Sequence, residues 1–278
     1  MRGLTDYHVH TFRCGHAAGA SRDFVLRAVQ LELSEIGFTD HVPLYFLPPA
    51  ERDPRLAMAE DEFTGYVEEV RNLRKEFEGR ILVRLGLEAD YAEGFERELE
   101  GWLDRADWDF VLGSVHWVAG DWIDAPRSAD RFEKEGVEAL YREYYRLLAG
   151  AARTGLFDVL SHFDLPKKHG HRPGAPLSES EDAAIAAAAE SGCAVEISSA
   201  GLRKPVKEVY PEPRLIAKMV AAGVPFTFSS DAHAPAEVGW GYERTVPLAR
   251  SLGVTEFVTF ERRRRIPRPL PAARSLTG

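Results

Sequence analysis

Short apolar runs alternate with amphipathic segments along the chain, and this alternation predicts repeated strand–helix units. Seven runs have the composition of strands: 4–10, 36–41, 81–88, 108–116, 157–162, 194–198 and 224–231. Between them, apolar residues recur every three or four positions, which predicts helices over about 21–33, 59–77, 94–105, 133–153, 178–191, 211–222 and 244–252. A further apolar run covers 254–260, and we expect the segment 262–278, rich in arginine and proline, to be an exposed tail. Strands that alternate with helices are typical of parallel β/α units.

Side chains with metal-binding chemistry stand at the carboxyl ends of these predicted strands. The first strand ends in His8 and His10, whose side chains project to one face because alternate residues of a strand do so. The loop behind it and the ends of later strands supply the remaining candidates: His16, His41, Glu88, His116, His162, Asp231 and His233. In a β/α barrel the carboxyl ends of the strands converge on one face, where active sites form, whereas an open sheet spreads them along an edge. The pattern therefore favours a barrel with a metal centre.

The number and type of these candidates indicate the chemistry. Nine ligands exceed what one catalytic zinc ion uses, so two or three divalent ions are expected, with Glu88 able to bridge two of them. Imidazole and carboxylate together favour zinc, manganese or iron over calcium or magnesium. Such a centre lowers the pKa of water and stabilises charge on the oxygens of an ester. The residues predict a metal-dependent hydrolase, with phosphate esters as the leading substrates and carboxamides or lactones left open.

The composition is that of a globular protein with a substantial core. The chain has 278 residues, of which 45% are hydrophobic and 28% charged, and no linker-like segment divides it, so we expect a single domain over 1–278. A net charge of −9 argues against a general nucleic-acid binder. The chain has two cysteines far apart, no apolar run of about 18 residues and no basic-then-apolar start, which predicts a cytoplasmic protein without membrane association. Self-association is left open.

The strand-end motifs together resemble those of the PHP (polymerase and histidinol phosphatase) family. The resemblance extends from Asp6 to about His233 and rests on the motifs at 6–11 with His16, 38–41, 86–88, 113–116, 160–162 and 230–233. Segments 14–16, 39–44 and 86–91 are most similar to the monofunctional histidinol-phosphatase branch. The resemblance implies a distorted seven-stranded (β/α)7 barrel, similar to a TIM barrel, with a trinuclear metal cluster at the C-terminal ends of its strands. It also implies a phosphatase of histidine biosynthesis that acts on L-histidinol phosphate.

The same resemblance implies roles for individual residues. The three ions would be held, respectively, by His8, His10, Glu88 and Asp231; by Glu88, His116 and His162; and by His16, His41 and His233. A metal-bridging hydroxide would attack phosphorus, and the leaving alkoxide would gain its proton either from metal-bound water or through Asp231 or His233. Arg203 corresponds to the phosphate-binding arginine, since a guanidinium can hold two phosphate oxygens at once, and Lys204 is a second candidate.

Two loops are candidates for enclosing the imidazole end of the substrate. One is the proline-rich excursion over 42–58, in which we expect the aromatic side chains of Tyr45 and Phe46 to be exposed. The other is the loop that carries His169 and His171.

Three other functions share some of these sequence features. Another PHP phosphoesterase would act on a nucleotide, an oligonucleotide end or a phosphotyrosine protein, because the metal chemistry is shared and only the pocket differs. An amidohydrolase barrel also begins with His-x-His, but the fourth predicted strand ends in His116 where a metal-bridging lysine is needed. The four arginines at 262–265 suggest a nucleic-acid-associated module, which the acidic balance of the chain disfavours.

Overall fold

The computed structural model describes residues 1–125 and 128–272 and contains a nearly closed barrel of parallel strands. In chain order the strands are β1 (Thr5–Val9), β2 (Glu35–Phe38), β3 (Leu82–Asp90), β4 (Phe110–Ser114), β5 (Trp117–Val118), β6 (Asp121–Trp122), β7 (Val159–Leu160), β8 (Ala194–Ser198), β9 (Phe226–Ser229), β10 (Glu256–Glu261) and β11 (Arg264–Pro269). Seven of them, β1 to β4 and β7 to β9, pair in chain order and in parallel. A parallel bridge between Val9 and Ala232 brings the end of β9, the last strand of these seven, next to β1. The predicted seven-stranded barrel is confirmed.

The helices lie close to their predicted positions, with one division that the periodicity did not show. They are α1 (Ser21–Gln30), α2 (Phe63–Glu76), α3 (Glu96–Leu103), α4 (Ala129–Glu135), α5 (Val137–Thr154), α6 (Ser178–Ser191), α7 (Pro213–Ala221) and α8 (Tyr242–Ser251). The predicted helix over 133–153 is split at Gly136, whose φ of 91° and ψ of 131° interrupt the helical backbone. Among the described helices, none combines the length and the apolar character needed to cross a bilayer.

An apolar layer fills the barrel near the amino-terminal ends of its strands. Its buried members are Tyr7, Phe110, Leu112, Val159, Ala194, Val258 and Phe260. The ring of Phe110 stacks on Tyr7 with centroids 4.5 Å apart and on Phe260 at 6.0 Å. Because β10 contributes two of these side chains, the C-terminal hairpin closes this end, and the polar strand ends are left at the other.

Phe110 is expected to contribute strongly to stability. Replacing it with alanine removes a buried ring and leaves a cavity, so the free energy of unfolding should fall by about 3–5 kcal/mol. Urea unfolding followed by circular dichroism measures this change. Phe95→Ala is the matched control, because the Phe95 side chain is 39% exposed and its loss should cost less than about 1 kcal/mol. Equal effects of the two substitutions would contradict the prediction.

The segment predicted to be an exposed tail contains a strand. Residues Arg264–Pro269 pair antiparallel with β10, and Arg262 and Arg263 form the two-residue turn with φ of 49° and 60°. Positive φ at both central residues is the geometry of a type I′ hairpin. Arg263 donates from Nε to the Asp158 carboxylate at 2.8 Å and from Nη2 to the Leu156 carbonyl at 2.7 Å. The hydrophobic pattern did not predict this strand, because it consists mainly of arginines and prolines and its pairing depends on the turn. Residues 273–278 of the predicted tail lie outside the described residues.

Candidate metal centre

The carboxyl ends of the barrel strands bring the predicted ligand side chains together around one cleft. Within the described ranges, ligand atoms lie within 4.8 Å of one another in the groups His8–His10–Glu88, His41–Glu88–His116, His16–His41–His233 and His10–Cys14–His233. The remaining two predicted ligands adjoin these groups: Nε2 of His162 is 3.2 Å from Oε1 of Glu88, and Oδ1 of Asp231 is 3.3 Å from Nε2 of His10. All nine side chains therefore meet in one place.

Glu88 lies at the middle of this cluster and is almost fully buried. Its Oε2 lies near three imidazole nitrogens, with distances of 2.9 Å to His8 Nε2, 3.4 Å to His10 Nε2 and 3.2 Å to His41 Nδ1. Its Oε1 is 3.2 Å from His162 Nε2 and 3.8 Å from His116 Nε2. Because its two oxygens face different histidines, this carboxylate is suited to lie between two cations.

Burial and neighbouring groups shift the pKa values of these side chains in opposite directions, since burial lowers the pKa of a histidine but nearby carboxylates outweigh it and raise the pKa of His8 well above its ordinary value and that of His116 to about 9. Burial by itself raises the pKa of Glu88, but the imidazoles of His41 and His8 lower that pKa well below its usual value. Burial lowers the pKa of His41 well below its ordinary value, and burial together with His10 lowers the pKa of His233 to about 3. At neutral pH Glu88 is ionised, and His41 and His233 are neutral. These are the forms that bind metal ions.

Two further carboxylates hold histidines of the cluster by their other ring nitrogen. Oε2 of Glu196 is 2.9 Å from Nδ1 of His8, and Oδ1 of Asp90 is 2.9 Å from Nδ1 of His116. A contact of this kind fixes the ring and directs Nε2 towards the site. In both histidines Nε2 is the nitrogen that faces Glu88.

Sequence reasoning missed both of these carboxylates, although each leaves a signal. Glu196 is the one charged residue of the strand Ala194–Ser198, and its Oε1 also accepts the backbone N–H of His162 at 2.6 Å. Asp90 stands two residues beyond Glu88 on β3, and therefore on the same face of the strand. An acidic residue within a buried strand, as at Glu196, or at the end of one, as at Asp90, is the pattern that would have found both.

The backbone at Asp231 has a conformation that is uncommon for a residue with a side chain. Its φ is 51°, in the left-handed region, and such strain is often found at functional sites. Arg203 supports this position, since its Nη2 donates to the carbonyl oxygens of Ser230 at 2.7 Å and Asp231 at 2.9 Å. Nε of Arg203 is 3.3 Å from the Glu237 carboxylate, and Nη1 is buried without a hydrogen-bond partner in the described part of the chain. Arg203 thus holds the Asp231 loop and keeps one nitrogen unpaired.

A cleft of about 300 Å³ opens over the cluster and carries charges of both signs. Apart from the predicted ligands, its charged lining residues among those described are Lys168, Lys204, Asp124 and Glu237. Nζ of Lys168 donates to Oδ2 of Asp124 at 2.7 Å. Lys204 therefore faces the cleft, whereas Arg203 lies behind it. The cleft suits a small molecule with an anionic end and a cationic end.

The expectation that Tyr45 and Phe46 are exposed was wrong, because both side chains are buried. The hydroxyl of Tyr45 donates to the carbonyl of Asp90 at 2.5 Å. The ring of Phe46 lies 5.8 Å from Trp117 and 6.4 Å from Trp122, on the β5–β6 hairpin. That hairpin was not predicted, and it covers the proline-rich excursion.

The loop after β7 contributes to the cleft through a residue other than its two histidines. His169 places Nε2 2.9 Å from the carbonyl oxygen of Asp124, and His171 stacks on Phe132 with centroids 4.5 Å apart. Neither histidine is among the described residues that line the cleft, whereas Lys168 is. The loop therefore faces the site through a lysine.

Comparison with known proteins identifies a family and two related sequences for this chain. Residues 6–200 match the PHP domain. The chain is 41% identical over 267 residues to a Deinococcus radiodurans protein named probable histidinol-phosphatase, an alignment that covers 96% of this chain and 100% of the relative. It is 30% identical over 268 residues to the histidinol-phosphatase of Bacillus subtilis, with 86% of this chain and 96% of the relative covered.

A solved structure shares the barrel. The structure of histidinol phosphate phosphatase from Lactococcus lactis, complexed with zinc, L-histidinol and phosphate, superposes with a TM-score of 0.81. The sequence identity is 22%, and the match covers 96% of this chain and 100% of the other. At that identity the likeness shows a common fold.

Proposed function

The chain belongs to the PHP domain family, and on that basis we propose that it hydrolyses L-histidinol phosphate to L-histidinol and phosphate, as a histidinol-phosphatase of histidine biosynthesis. The observation that carries this proposal is that all nine predicted ligand side chains lie together at a cleft that is also lined by Lys168 and Lys204. The choice of substrate is supported by the names of the relatives, which align with nearly the whole chain.

Two to three divalent ions would be held by the nine ligands, and the donor set fits them. Neither buried ring nitrogen of His10 makes a hydrogen bond among the described residues, and Nε2 instead lies 3.4 Å from Glu88 Oε2 and 3.3 Å from Asp231 Oδ1, an arrangement that a cation bound between these groups would satisfy. The related solved structure contains zinc, which suits imidazole and carboxylate ligands; manganese and iron suit them as well. When bound, the ions would neutralise charge on the phosphoryl oxygens and activate water.

Positively charged residues of the cleft would bind the phosphate end of the substrate, and a negatively charged residue would bind its ammonium end. Lys204 and Lys168 would contact the phosphate, and Arg203, which is predicted to bind the same group, would have to move its buried Nη1 from behind the cleft to reach it. Asp124 would face the ammonium group of L-histidinol, because a carboxylate in a partly closed cleft favours a cation. Asp124 and Lys168 contact each other at 2.7 Å, so the substrate would have to separate this ion pair to bind both charges.

Asp231 and His233 would relay from water the proton that the leaving alkoxide must gain, because the pKa of each is lowered below its ordinary value and neither holds a spare proton at neutral pH. Nδ1 of His233 is 3.4 Å from Oδ1 of Asp231, so the two side chains are close enough to share a proton as substrate binds. Arg203 would keep Asp231 in place through its backbone carbonyl.

A phosphate-release assay tests the proposed substrate. Metal-analysed protein, with and without added zinc or manganese, is compared on L-histidinol phosphate, a nucleoside monophosphate and a phosphotyrosine peptide. We expect strong and selective release from L-histidinol phosphate. Fully metallated protein that cleaves one of the other esters and ignores L-histidinol phosphate would refute the substrate but leave the metal centre standing.

Arg203→Ala is expected to slow turnover without removing metal. Losing the hydrogen bonds of a charged group should cost about 1.5–3 kcal/mol, or roughly ten- to a hundredfold in kcat/KM. The measurement pairs steady-state kinetics with metal analysis, and Arg203→Lys, which keeps the charge but not the fixed geometry, should recover only part of the loss. A parallel loss of bound metal would show that Arg203 acts through the ligands instead.

A further inference from the structure

The turn that follows β1 places a cysteine beside the metal centre. Residues Phe12–Cys14 form a single 3-10 turn, and Gly15 ends it with a φ of 81°. A Cβ on Gly15 would lie 2.2 Å from the carbonyl oxygen of Pro54, so the close approach of these two segments requires glycine. The turn is therefore held in one position, and the Cys14 side chain is fully buried in it.

The sulfur of Cys14 lies close enough to two histidines of the cluster for a bound ion to draw them together. The ligand atoms of Cys14, His10 and His233 are all within 4.8 Å of one another. Independently of the cysteine, the ring of His10 is fully buried and neither of its nitrogens makes a hydrogen bond in the part of the chain that the structure describes, although Nε2 lies 3.4 Å from Glu88 Oε2 and 3.3 Å from Asp231 Oδ1. An imidazole in that state indicates a cation in this part of the cluster.

The neighbouring histidine group has no acidic residue among its own three predicted ligands. His16, His41 and His233 bring three imidazoles within 4.8 Å of one another, and all three are neutral ligands when they bind metal. Two carboxylates that are predicted to bind the other ions also lie near it: Oε2 of Glu88 is 3.2 Å from His41 Nδ1, and Oδ1 of Asp231 is 3.4 Å from His233 Nδ1. Because His233 belongs to both the imidazole group and the cysteine group, a Cys14 thiolate would add negative charge and a fourth ligand there.

We propose that Cys14 is a thiolate ligand of the ion that His233 binds. The ligand forms as the thiol proton leaves for solvent and the sulfur binds the cation. This inference rests on the metal centre of the proposed function and adds to it a chemical difference between the ion positions. A soft sulfur ligand favours zinc or cobalt over manganese at that one position, whereas imidazole and carboxylate are less selective.

Cobalt substitution tests the proposal without any substrate. A cysteine thiolate bound to Co²⁺ gives a near-ultraviolet charge-transfer band that imidazole and carboxylate ligands do not give. Cys193→Ala is the matched control, because the only other cysteine is buried near the amino-terminal end of β8, where its sulfur contacts the Phe157 carbonyl at 3.6 Å. The expected result is a band in the wild-type protein and in Cys193→Ala, and none in Cys14→Ala or Cys14→Ser. Zinc titration should show one ion bound at least about tenfold more weakly in the two Cys14 variants.

Several outcomes would overturn the proposal. Absence of the band from wild-type protein that metal analysis shows to be filled with cobalt excludes a thiolate ligand, whether or not the variants fold. Weaker zinc binding by Cys14→Ser without any band in the wild-type protein would mean that the cysteine only positions His10. A protein with the band but no turnover of L-histidinol phosphate would refute the proposed substrate alone, and a protein that binds no divalent ion would refute both.

Discussion

The Glu88→Gln variant is expected to lose on the order of a thousandfold in kcat/KM for L-histidinol phosphate. The substitution keeps the shape of the side chain but removes the negative charge that lies 2.9 Å from His8 Nε2 and 3.2 Å from His162 Nε2. Metal ions at a phosphoryl group supply several kcal/mol of transition-state stabilisation, and about 1.4 kcal/mol corresponds to a factor of ten. Weakening the ligand between two ions should therefore affect both.

Metal analysis of the same variant identifies the cause of the loss. We expect at least one ion fewer per chain than in the wild-type protein when both are dialysed against the same metal buffer. Glu93→Gln is the matched control, because Glu93 is an exposed residue paired with Arg146 at the surface and should retain wild-type activity and metal content. Wild-type turnover by Glu88→Gln would refute the bridging role.

Removing the metal ions is expected to abolish turnover and to destabilise the fold. After dialysis against a chelator, activity should fall to background and return when zinc is added. An ion that binds only the folded state stabilises it by RT ln(1 + [L]/Kd), which is about 2.7 kcal/mol at a hundred times Kd. The apo protein should therefore unfold at a lower temperature, because imidazoles and carboxylates packed in the cluster lose the cations that compensate their burial.

The control for metal removal separates bound ions from a general effect of the chelator. In Glu88→Gln the fall in the thermal midpoint on chelation should be smaller than in the wild-type protein, because fewer ions are there to be removed. An apo protein with full activity would exclude a metal-dependent mechanism. An apo protein that is inactive but has an unchanged midpoint would show that the ions act in chemistry without contributing to stability.

The barrel could be predicted from the sequence because each of its units has its own local signal. Buried parallel strands are short, continuous apolar runs, and the helices between them repeat their apolar positions every three or four residues. Elements that rely on local geometry instead were missed. The β5–β6 hairpin has two residues in each strand, and the β10–β11 hairpin depends on the turn at Arg262 and Arg263.

The cleft was predicted less well than the ligand cluster, for a physical reason. Ligands stand at strand ends, so their meeting follows from the parallel arrangement of the strands. The cleft is built from loops, whose paths depend on packing between distant segments. Lys168 faces the cleft while His169, the next residue, contacts a backbone carbonyl, and no pattern in the loop distinguishes them.

What the sequence by itself determined is the family, the order of the strands and the set of side chains at their carboxyl ends, since these depend on local hydrophobic periodicity and on spacing along the chain. Only the tertiary structure decided which groups stand behind those side chains. Glu196 reaches His8 across 188 positions, and Cys14 comes within 4.8 Å of His233 because the barrel closes between its first and last strands. Contacts of that kind join segments that have no relation along the chain, so they exist only once the barrel has formed.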